Sequence, residues 1–166
     1  GRLERPSGAG FNKDIKIIGD LMDRSDFDIL FTKTDHVHFA QNREEVWNVV
    51  KALSAIEVNN VLEIGIQHGE SMSMWDFAAG PDTRLLGVDS GPHALNVVGR
   101  ALSNESPFIF GEGDSPEIIT KVKEHMPIVV FLFIDGTHYD GGPDRDWDNY
   151  SPLVRPGGII VFHDTR

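Results

Sequence analysis

The segment from residue 60 to residue 71 constrains the fold of this chain more than any other part. It reads NVLEIGIQHGES, an apolar run followed by Gly65 and Gly69. The run predicts a buried strand, and the glycines predict a tight turn before a helix. Glycine lets a ligand approach the main chain closely, and the first turn of a helix offers free N–H groups to it. Such turns also occur in α/β proteins without a ligand, so the residues that end the other strands decide the interpretation.

Apolar strands and amphipathic helices alternate from this segment onward. The pattern predicts strands over residues 61–66, 84–89, 108–110, 128–135 and 159–162, and helices over residues 70–79, 92–102, 116–124 and 145–153. The fourth strand is apolar throughout, which is typical of a central parallel strand covered on both faces. Helices between successive strands predict right-handed crossovers. We therefore expect a doubly wound, Rossmann-like parallel α/β sheet with strand order 3-2-1-4-5.

The residues before the alternation are predicted to be helical and to lie outside the sheet. Residues 1–11 are polar and rich in glycine and proline, which predicts a flexible N-terminus. Apolar residues recur at helical spacing over residues 12–30, and residues 42–56 form an amphipathic helix with Asn42 as its N-cap. We expect one domain over residues 12–166, with helices over 12–58 and the α/β core over 59–166.

Composition and charge narrow the class of partner. The chain has 166 residues, no cysteine and a formal net charge of −11. Without cysteine there is no disulfide or thiolate site, which fits a reducing compartment such as the cytoplasm. The negative charge repels phosphate backbones, and no apolar run approaches the roughly 18 to 20 residues of a membrane span. A small-molecule partner is therefore expected, rather than nucleic acid or a membrane.

Polar side chains gather where the predicted strands end, which is where open α/β sheets bind their ligands. The first strand carries Glu63, and Ser71 follows in the next helix. The other strands end in Asp89-Ser90, Asp114-Ser115, Asp135-Gly136 and His163-Asp164. Like charges along one edge repel one another, so solubility alone does not explain this arrangement.

Asp89 and Asp114 are candidates for contacts with a nucleoside. Asp89 ends the second strand, the position from which a carboxylate binds both hydroxyls of a ribose. The glycine turn before it favours this role over that of an acid placed at a helix N-terminus. Asp114 and Ser115 have two interpretations of similar weight: they contact an adenine amino group, or they cap the helix that begins at Pro116.

Asp135 and Asp164 follow adjacent predicted strands, and His138 and His163 lie beside them. Two carboxylates suit Mg²⁺, Mn²⁺ or Ca²⁺, and a histidine nitrogen shifts the preference toward Mn²⁺ or Fe²⁺. In the alternative, Asp135 touches a cofactor, Asp164 caps the next element and the histidines line the cleft. His138 titrates near neutrality and is the candidate general base, with a structural or exposed role as its alternative.

The motifs VLEIGIQHGES, LLGVD, FIDGTH and YSPLVRPGGIIVFHDT together resemble those of class I S-adenosylmethionine-dependent methyltransferases. More narrowly, the chain is similar to the group that includes macrolide-sugar O-methyltransferases and cephalosporin-hydroxylase-like proteins. The resemblance covers residues 41–165, and the pair FIDGTH and HDT is far more specific than the glycine turn. The cofactor-binding residues that it implies are Glu63, Gly65, Gly69, Ser71, Asp89, Ser90, Asp114, Ser115 and Asp135.

The resemblance also implies a metal site and a base. In metal-dependent members, residues that match Asp135, His163 and Asp164 hold Mg²⁺, and the histidine that matches His138 is the base, with Asp135 beside it as a catalytic residue. His163 stands where some members have a carboxylate, which disfavours Mg²⁺ and leaves Mn²⁺ as the alternative. The family fold usually continues through a further helix and an antiparallel strand pair, which this chain lacks. We therefore expect a fragment, or a homo-oligomer that covers the fifth strand.

The predicted reaction is transfer of a methyl group from S-adenosylmethionine to a hydroxyl oxygen of a small molecule, with a sugar or polyol as the acceptor that the resemblance implies. A catechol-like diol also suits a metal site. Two other functions remain open: a metal-dependent hydroxylase-like enzyme on the same scaffold, and a non-catalytic cofactor-binding or assembly module. A nicotinamide-dependent reductase ranks lower because the GxGxxG fingerprint is absent.

Overall fold

Five parallel strands form one sheet at the centre of the molecule, in the order β3-β2-β1-β4-β5. The computed structural model describes residues 23–34, 42–67, 69–79, 82–91, 108–137 and 139–163. The strands are β1 (Asn60–Ile64), β2 (Arg84–Asp89), β3 (Phe108–Phe110), β4 (Val129–Ile134) and β5 (Val154–Phe162). The order and the parallel pairing confirm the predicted doubly wound sheet.

Helices cover both faces of this sheet. They are α1 (Arg24–Thr34), α2 (Arg43–Leu53), α3 (Glu70–Ala79), α4 (Pro116–His125) and α5 (Gly142–Tyr150), followed by a short 3-10 helix (Ser151–Leu153). Asn42 caps α2 as predicted, since its side chain accepts hydrogen bonds from two main-chain N–H groups of the first turn. Among the described residues, no helix is long and apolar enough to cross a membrane.

The core consists of two clusters, one on each face of the sheet, because successive side chains along a strand point to opposite faces. The cluster under α1, α2 and α3 includes Phe27, Val50, Val61, Trp75, Phe131 and Phe133. The cluster under α4 and α5 includes Leu62, Val122, Leu132, Ile134 and Tyr150. All six residues of β4 are buried, as expected for a strand covered on both faces. Burial of a large apolar side chain contributes about 1.5 to 3 kcal/mol.

Among the elements of the α/β core, the starts of α5 and β5 differ most from those predicted. Helix α5 begins at Gly142 rather than at residue 145, because Gly141 adopts a left-handed conformation (φ +74°) and Pro143 fits the first turn. Strand β5 begins at Val154 rather than at residue 159. The turn predicted at residues 155–158 is an irregularity inside the strand, where the pairing with β4 shifts register.

Other predictions fall partly outside the described residues. These include the flexible N-terminus over residues 1–11 and the helix over residues 92–102. Of the helical pattern over residues 12–30, the structure describes the last part, and α1 extends it to Thr34.

Main-chain hydrogen bonds connect the residues that follow neighbouring strands and hold them at one edge of the sheet. Gly65 N donates to Val88 O at 2.8 Å, and Asp135 N donates to Ile64 O at 2.8 Å. On either side, Gly111 N donates to the main-chain oxygen of Asp89 and His163 N donates to that of Ile134. The polar residues at the strand ends are therefore placed by the register of the sheet.

Gly65 lies where the turn after β1 presses against the end of β4. Its φ is +86°, and a Cβ atom added there would lie 2.2 Å from the main-chain oxygen of Asp135. Both the conformation and the space therefore require glycine. Gly157 has a similar φ of +79° but no heavy atom within 4 Å of the corresponding Cβ position.

Gly65→Ala is predicted to lower the free energy of unfolding by about 3 kcal/mol or more, because it adds a steric clash to the strained φ. Gly157→Ala is the matched control and should cost only about 1 kcal/mol, the conformational part. Urea unfolding followed by circular dichroism measures both. Equal losses in the two variants would contradict the close approach of the turn to β4.

Candidate functional site at the carboxyl ends of the strands

Asp89 holds the glycine turn through main-chain hydrogen bonds. Its Oδ2 accepts from Ile66 N and Gln67 N, both at 2.7 Å, and its Oδ1 accepts from Gly91 N at 2.5 Å. Two carboxylate oxygens offer about four lone-pair sites, of which these bonds use three. The predicted bidentate contact with a ribose diol can therefore form only if one of these main-chain hydrogen bonds breaks. Ser90, the next predicted cofactor residue, is exposed.

Glu63 is fully buried in β1, below the glycine turn. Burial raises the pKa of Glu63 well above its usual value, the Ser71 hydroxyl that donates to its Oε1 opposes this, and Asp135 adds a further upward shift. The indole of Trp75 also favours the charged form, although Trp75 Nε1 and Glu63 Oε2 both lack a hydrogen bond of normal geometry among the described residues. The structure thus brings together two predicted cofactor residues, Glu63 and Ser71, and places Asp135 near them.

Asp135 and His163 form the second polar feature of this edge. His163 Nδ1 lies 3.0 Å from Asp135 Oδ1, and their side chains are only 14% and 17% exposed. A cavity of about 120 Å³ opens beside His163. Its walls are largely apolar and include Val46, Val49, Trp75, Phe133 and Phe162. A hydrogen-bonded carboxylate fixes the orientation of an imidazole, so this pair can bind a cation or move a proton.

The structure describes two of the three predicted metal ligands. Asp135 and His163 are together, whereas Asp164 and the predicted base His138 lie outside the described residues. Within the described part of the chain, no group of three potential metal-ligating side chains is present. The metal site therefore stays a prediction.

Asp114 and Ser115 make contacts within the protein. Arg145 Nε lies 2.8 Å from Asp114 Oδ2 in an ion pair of which both side chains are about two-fifths exposed. Ser115 caps α4, with its Oγ accepting from Ile118 N at 3.3 Å. The helix-capping interpretation of Ser115 is therefore observed, and the carboxylate of Asp114 already has a cationic partner.

The sequence patterns did not reveal Asp146 as part of this edge. Asp146 lies on the buried face of α5, one turn before Tyr150, and is 5% exposed. With the helix predicted from residue 145, position 146 would lie in the first turn, where an acid is common. The observed start at Gly142 moves Asp146 into the second turn and onto the core face. The spacing of Gly142, Asp146 and Tyr150 at intervals of four was the available signal.

Burial dominates the environment of Asp146. It raises the pKa of Asp146 to about 6; the nearby carboxylate of Asp114 adds to the shift, and Arg145 opposes it. The hydroxyl of Tyr150 donates to Gly113 O, and burial raises the pKa of this phenol. Tyr150 thereby ties the loop after β3 to α5.

Comparisons with known proteins agree on the class of fold. A family profile described as a methyltransferase domain matches residues 62–165. A putative caffeoyl-CoA O-methyltransferase from Staphylococcus aureus superposes with a TM-score of 0.61 at 20% identity, covering 82% of this chain and 65% of that one. An O-methyltransferase from Bacillus cereus in complex with SAH gives 0.59 at 16% identity, covering 84% and 66%.

A third solved structure is MycE of the mycinamycin biosynthetic pathway, in complex with Mg and SAH. Its TM-score is 0.64 at 20% identity, covering 83% of this chain but only 36% of that one. This chain thus spans less than two thirds of the length of each of these three proteins. No curated protein matches the sequence significantly. Because the family profile covers well over half of the chain and the sheet has the order expected for it, the chain belongs to the methyltransferase-domain family.

Proposed function

We propose that this chain is the cofactor-binding part of an S-adenosylmethionine-dependent O-methyltransferase that acts on a small molecule. Family membership supports methyl transfer, and the solved relatives named above are described as methyltransferases, two of them in complex with SAH. The observation that carries the proposal is the contact of Gly65 with the main chain of Asp135. The glycine turn thus packs on Asp135, whose side chain meets His163, so a cofactor on the turn would have its acceptor side at that pair.

The chain's acidic residues would favour the cationic donor. S-adenosylmethionine supplies a methyl group on a positively charged sulfonium. Glu63, Asp89 and Asp135 lie at the same sheet edge, and the two glycines of the turn let a ligand approach the main chain. Burial, complete for Glu63 and partial for Asp89 and Asp135, strengthens the attraction between a carboxylate and a positive charge. The turn and the acids would therefore bind and orient the donor.

The acceptor hydroxyl must lose its proton during methyl transfer. A bond forms between the acceptor oxygen and the methyl carbon as the carbon–sulfur bond breaks with its electron pair going to sulfur, and the hydroxyl proton leaves to a base. His138 is the base predicted from the sequence. Of the two candidate histidines at this edge, the structure describes His163, whose Nδ1 contact with Asp135 suits it to hold or accept a proton. Most of the remaining contribution would be proximity.

A divalent cation held by Asp135, His163 and Asp164 is the second part of the proposal. When bound, such a cation lowers the pKa of a coordinated hydroxyl. The donor set of two carboxylates and one imidazole suits Mn²⁺ better than Mg²⁺. The 3.0 Å separation of Asp135 Oδ1 and His163 Nδ1 is compatible with two ligands of one ion after the hydrogen bond between them is replaced.

The acceptor itself is proposed to be a hydroxyl next to an apolar group. The cavity beside His163 is walled by valine and aromatic side chains, which suits a ring or alkyl portion. A catechol-like diol or a sugar that carries apolar groups fits these walls better than a bare polyol.

We also propose that the protein is cytoplasmic and forms a homo-oligomer. The oligomer would cover β5, which lies at the edge of the described sheet and pairs only with β4 there.

Calorimetric titration of the 166-residue chain with S-adenosylmethionine is expected to show micromolar binding. Asp89→Ala should weaken it by about tenfold or more, because two main-chain N–H groups of the glycine turn, those of Ile66 and Gln67, lose their acceptor. Asp82→Ala, at an exposed acid before β2, is the matched control and should leave affinity unchanged. Absence of binding to the wild type would contradict the methyltransferase proposal and leave the hydroxylase-like enzyme and the assembly module as alternatives.

Methyl transfer to a diol acceptor, followed by release of S-adenosylhomocysteine, tests the metal and the base. Mn²⁺ should restore the rate after chelation, and Asp135→Asn should remove this response. If His138 is the base, His138→Gln abolishes transfer at saturating metal, whereas loss of a ligand in His163→Ala is partly rescued by more Mn²⁺. A chelator-insensitive rate would exclude the metal. Hydroxylated product formed only with Fe²⁺ and oxygen would favour the hydroxylase-like alternative.

A further inference from the structure

Glu45 places a carboxylate on the wall of the cavity beside His163. Among the described residues that line this cavity, Glu45 and His163 are the two titratable side chains. The other lining residues are apolar: Val46, Val49, Trp75, Phe133, Val161 and Phe162. No lysine or arginine is among the described lining residues, so the cavity has a negative charge that no cation on its own walls neutralises.

The two titratable side chains lie at different depths. The side chain of His163 is 14% exposed, whereas Glu45 is exposed in the first turn of α2. Trp75 and Phe133 are buried and form part of the wall. An acceptor whose hydroxyl meets His163 would therefore lie along aromatic side chains and extend toward the carboxylate at the rim.

Helix α2 does not use the carboxylate of Glu45. An acid at the third helical position commonly completes a capping box by accepting from the main-chain N–H of the N-cap residue. The side chain of Asn42 accepts from Glu44 N at 2.9 Å and from Glu45 N at 3.4 Å. Within the described part of the chain, the carboxylate of Glu45 accepts no bond in return. Capping therefore does not explain an acid at this position.

The cations nearest to this turn of α2 contact other acids. Arg24 donates to Glu44, with its Nη1 3.0 Å from Glu44 Oε2. Arg43 Nη1 lies 3.8 Å from Asp28 Oδ1. Glu45 forms no ion pair with any of the described residues. Its charge is therefore available to a ligand in the cavity.

We propose that Glu45 selects a methyl acceptor that carries a protonated amine beside its apolar portion. This inference rests on the proposed function and specifies the substrate class of the same cavity. Aromatic side chains and a carboxylate together attract an alkylammonium group, because the ring faces stabilise a cation and the carboxylate accepts its hydrogen bonds. The same carboxylate repels an acceptor that carries a carboxylate or a phosphate.

The volume of the cavity limits the size of the acceptor. An apolar cavity of about 150 Å³ holds one benzene molecule. The cavity beside His163 measures about 120 Å³. It therefore encloses no more than about one ring, and a group attached to that ring by a short chain lies at the rim. A ring with a hydroxyl at its inner end and an aminoalkyl chain at its outer end matches both polar groups of the cavity.

The test compares three catechols that differ only in one side chain, which is aminoethyl, propyl or carboxyethyl. Calorimetry on the 166-residue chain, saturated with S-adenosylhomocysteine and Mn²⁺, measures the affinity of each. The wild type should bind the aminoethyl compound about fivefold to twentyfold more tightly than the propyl compound, as for a partly exposed charge pair beside aromatic rings. The carboxyethyl compound should bind most weakly.

Variants of two adjacent acids identify the residue responsible. Glu45→Gln should bring the aminoethyl and propyl compounds within about twofold of each other, without changing the affinity for S-adenosylhomocysteine. Glu45→Lys should reverse the order and favour the carboxyethyl compound, which loss of a purely structural residue would not do. Glu44→Gln is the matched control. It removes the same charge from a residue that does not line the cavity, and it should keep the wild-type order.

The outcomes separate this inference from the proposed function. If the wild type does not bind S-adenosylhomocysteine, the proposed function fails and this inference fails with it. If it binds S-adenosylhomocysteine but binds the catechols equally, or binds none of them, the cofactor site stands and the role of Glu45 is overturned. A preference that persists in Glu45→Gln, or falls equally in Glu44→Gln, also overturns it, because that pattern reflects the net charge of −11 rather than a contact in the cavity.

Discussion

The hydrogen bonds from Asp89 to the main chain of the glycine turn hold the binding edge together. They connect the residue that ends β2 to Ile66 and Gln67, which follow β1. Gln67 has a φ of +50°, a conformation that costs a residue other than glycine about 1 kcal/mol or more. A carboxylate that accepts several N–H groups compensates for such strain. The shape of the turn therefore depends on an acid 22 residues away in sequence.

The sheet could be predicted because each strand has a local pattern of apolar residues. The apolar runs located the strands, and the helices between them indicated the doubly wound arrangement whose strand order the structure shows. Helix boundaries were less predictable: α5 begins three residues early because Gly141 can adopt a positive φ that no periodicity reveals. That shift placed Asp146 in the core. Its burial follows from where the helix packs, which residue types alone do not determine.

The candidate site shows the same division between local and tertiary information. The sequence correctly brought Asp135 and His163 together, because adjacent parallel strands end at one edge and the register fixes their separation. It could not assign a partner to Asp114, since Arg145 reaches it from another element, 31 residues further along. Side-chain pairing across loops depends on tertiary packing. The predicted roles that rest on such pairing therefore required coordinates.

Placing several acids at one edge is unfavourable for folding and favourable for binding a cation. Burial raises the pKa of both Glu63 and Asp146, so each carboxyl group is less stable as an anion in the folded protein than in water. A core of this size could replace them with apolar residues of similar volume at little cost or with a gain. A buried carboxyl group in β1, directly below a glycine turn shaped for close approach, is therefore best explained by a ligand. A sulfonium donor on the turn would favour the charged form of Glu63 and offset the effect of its burial.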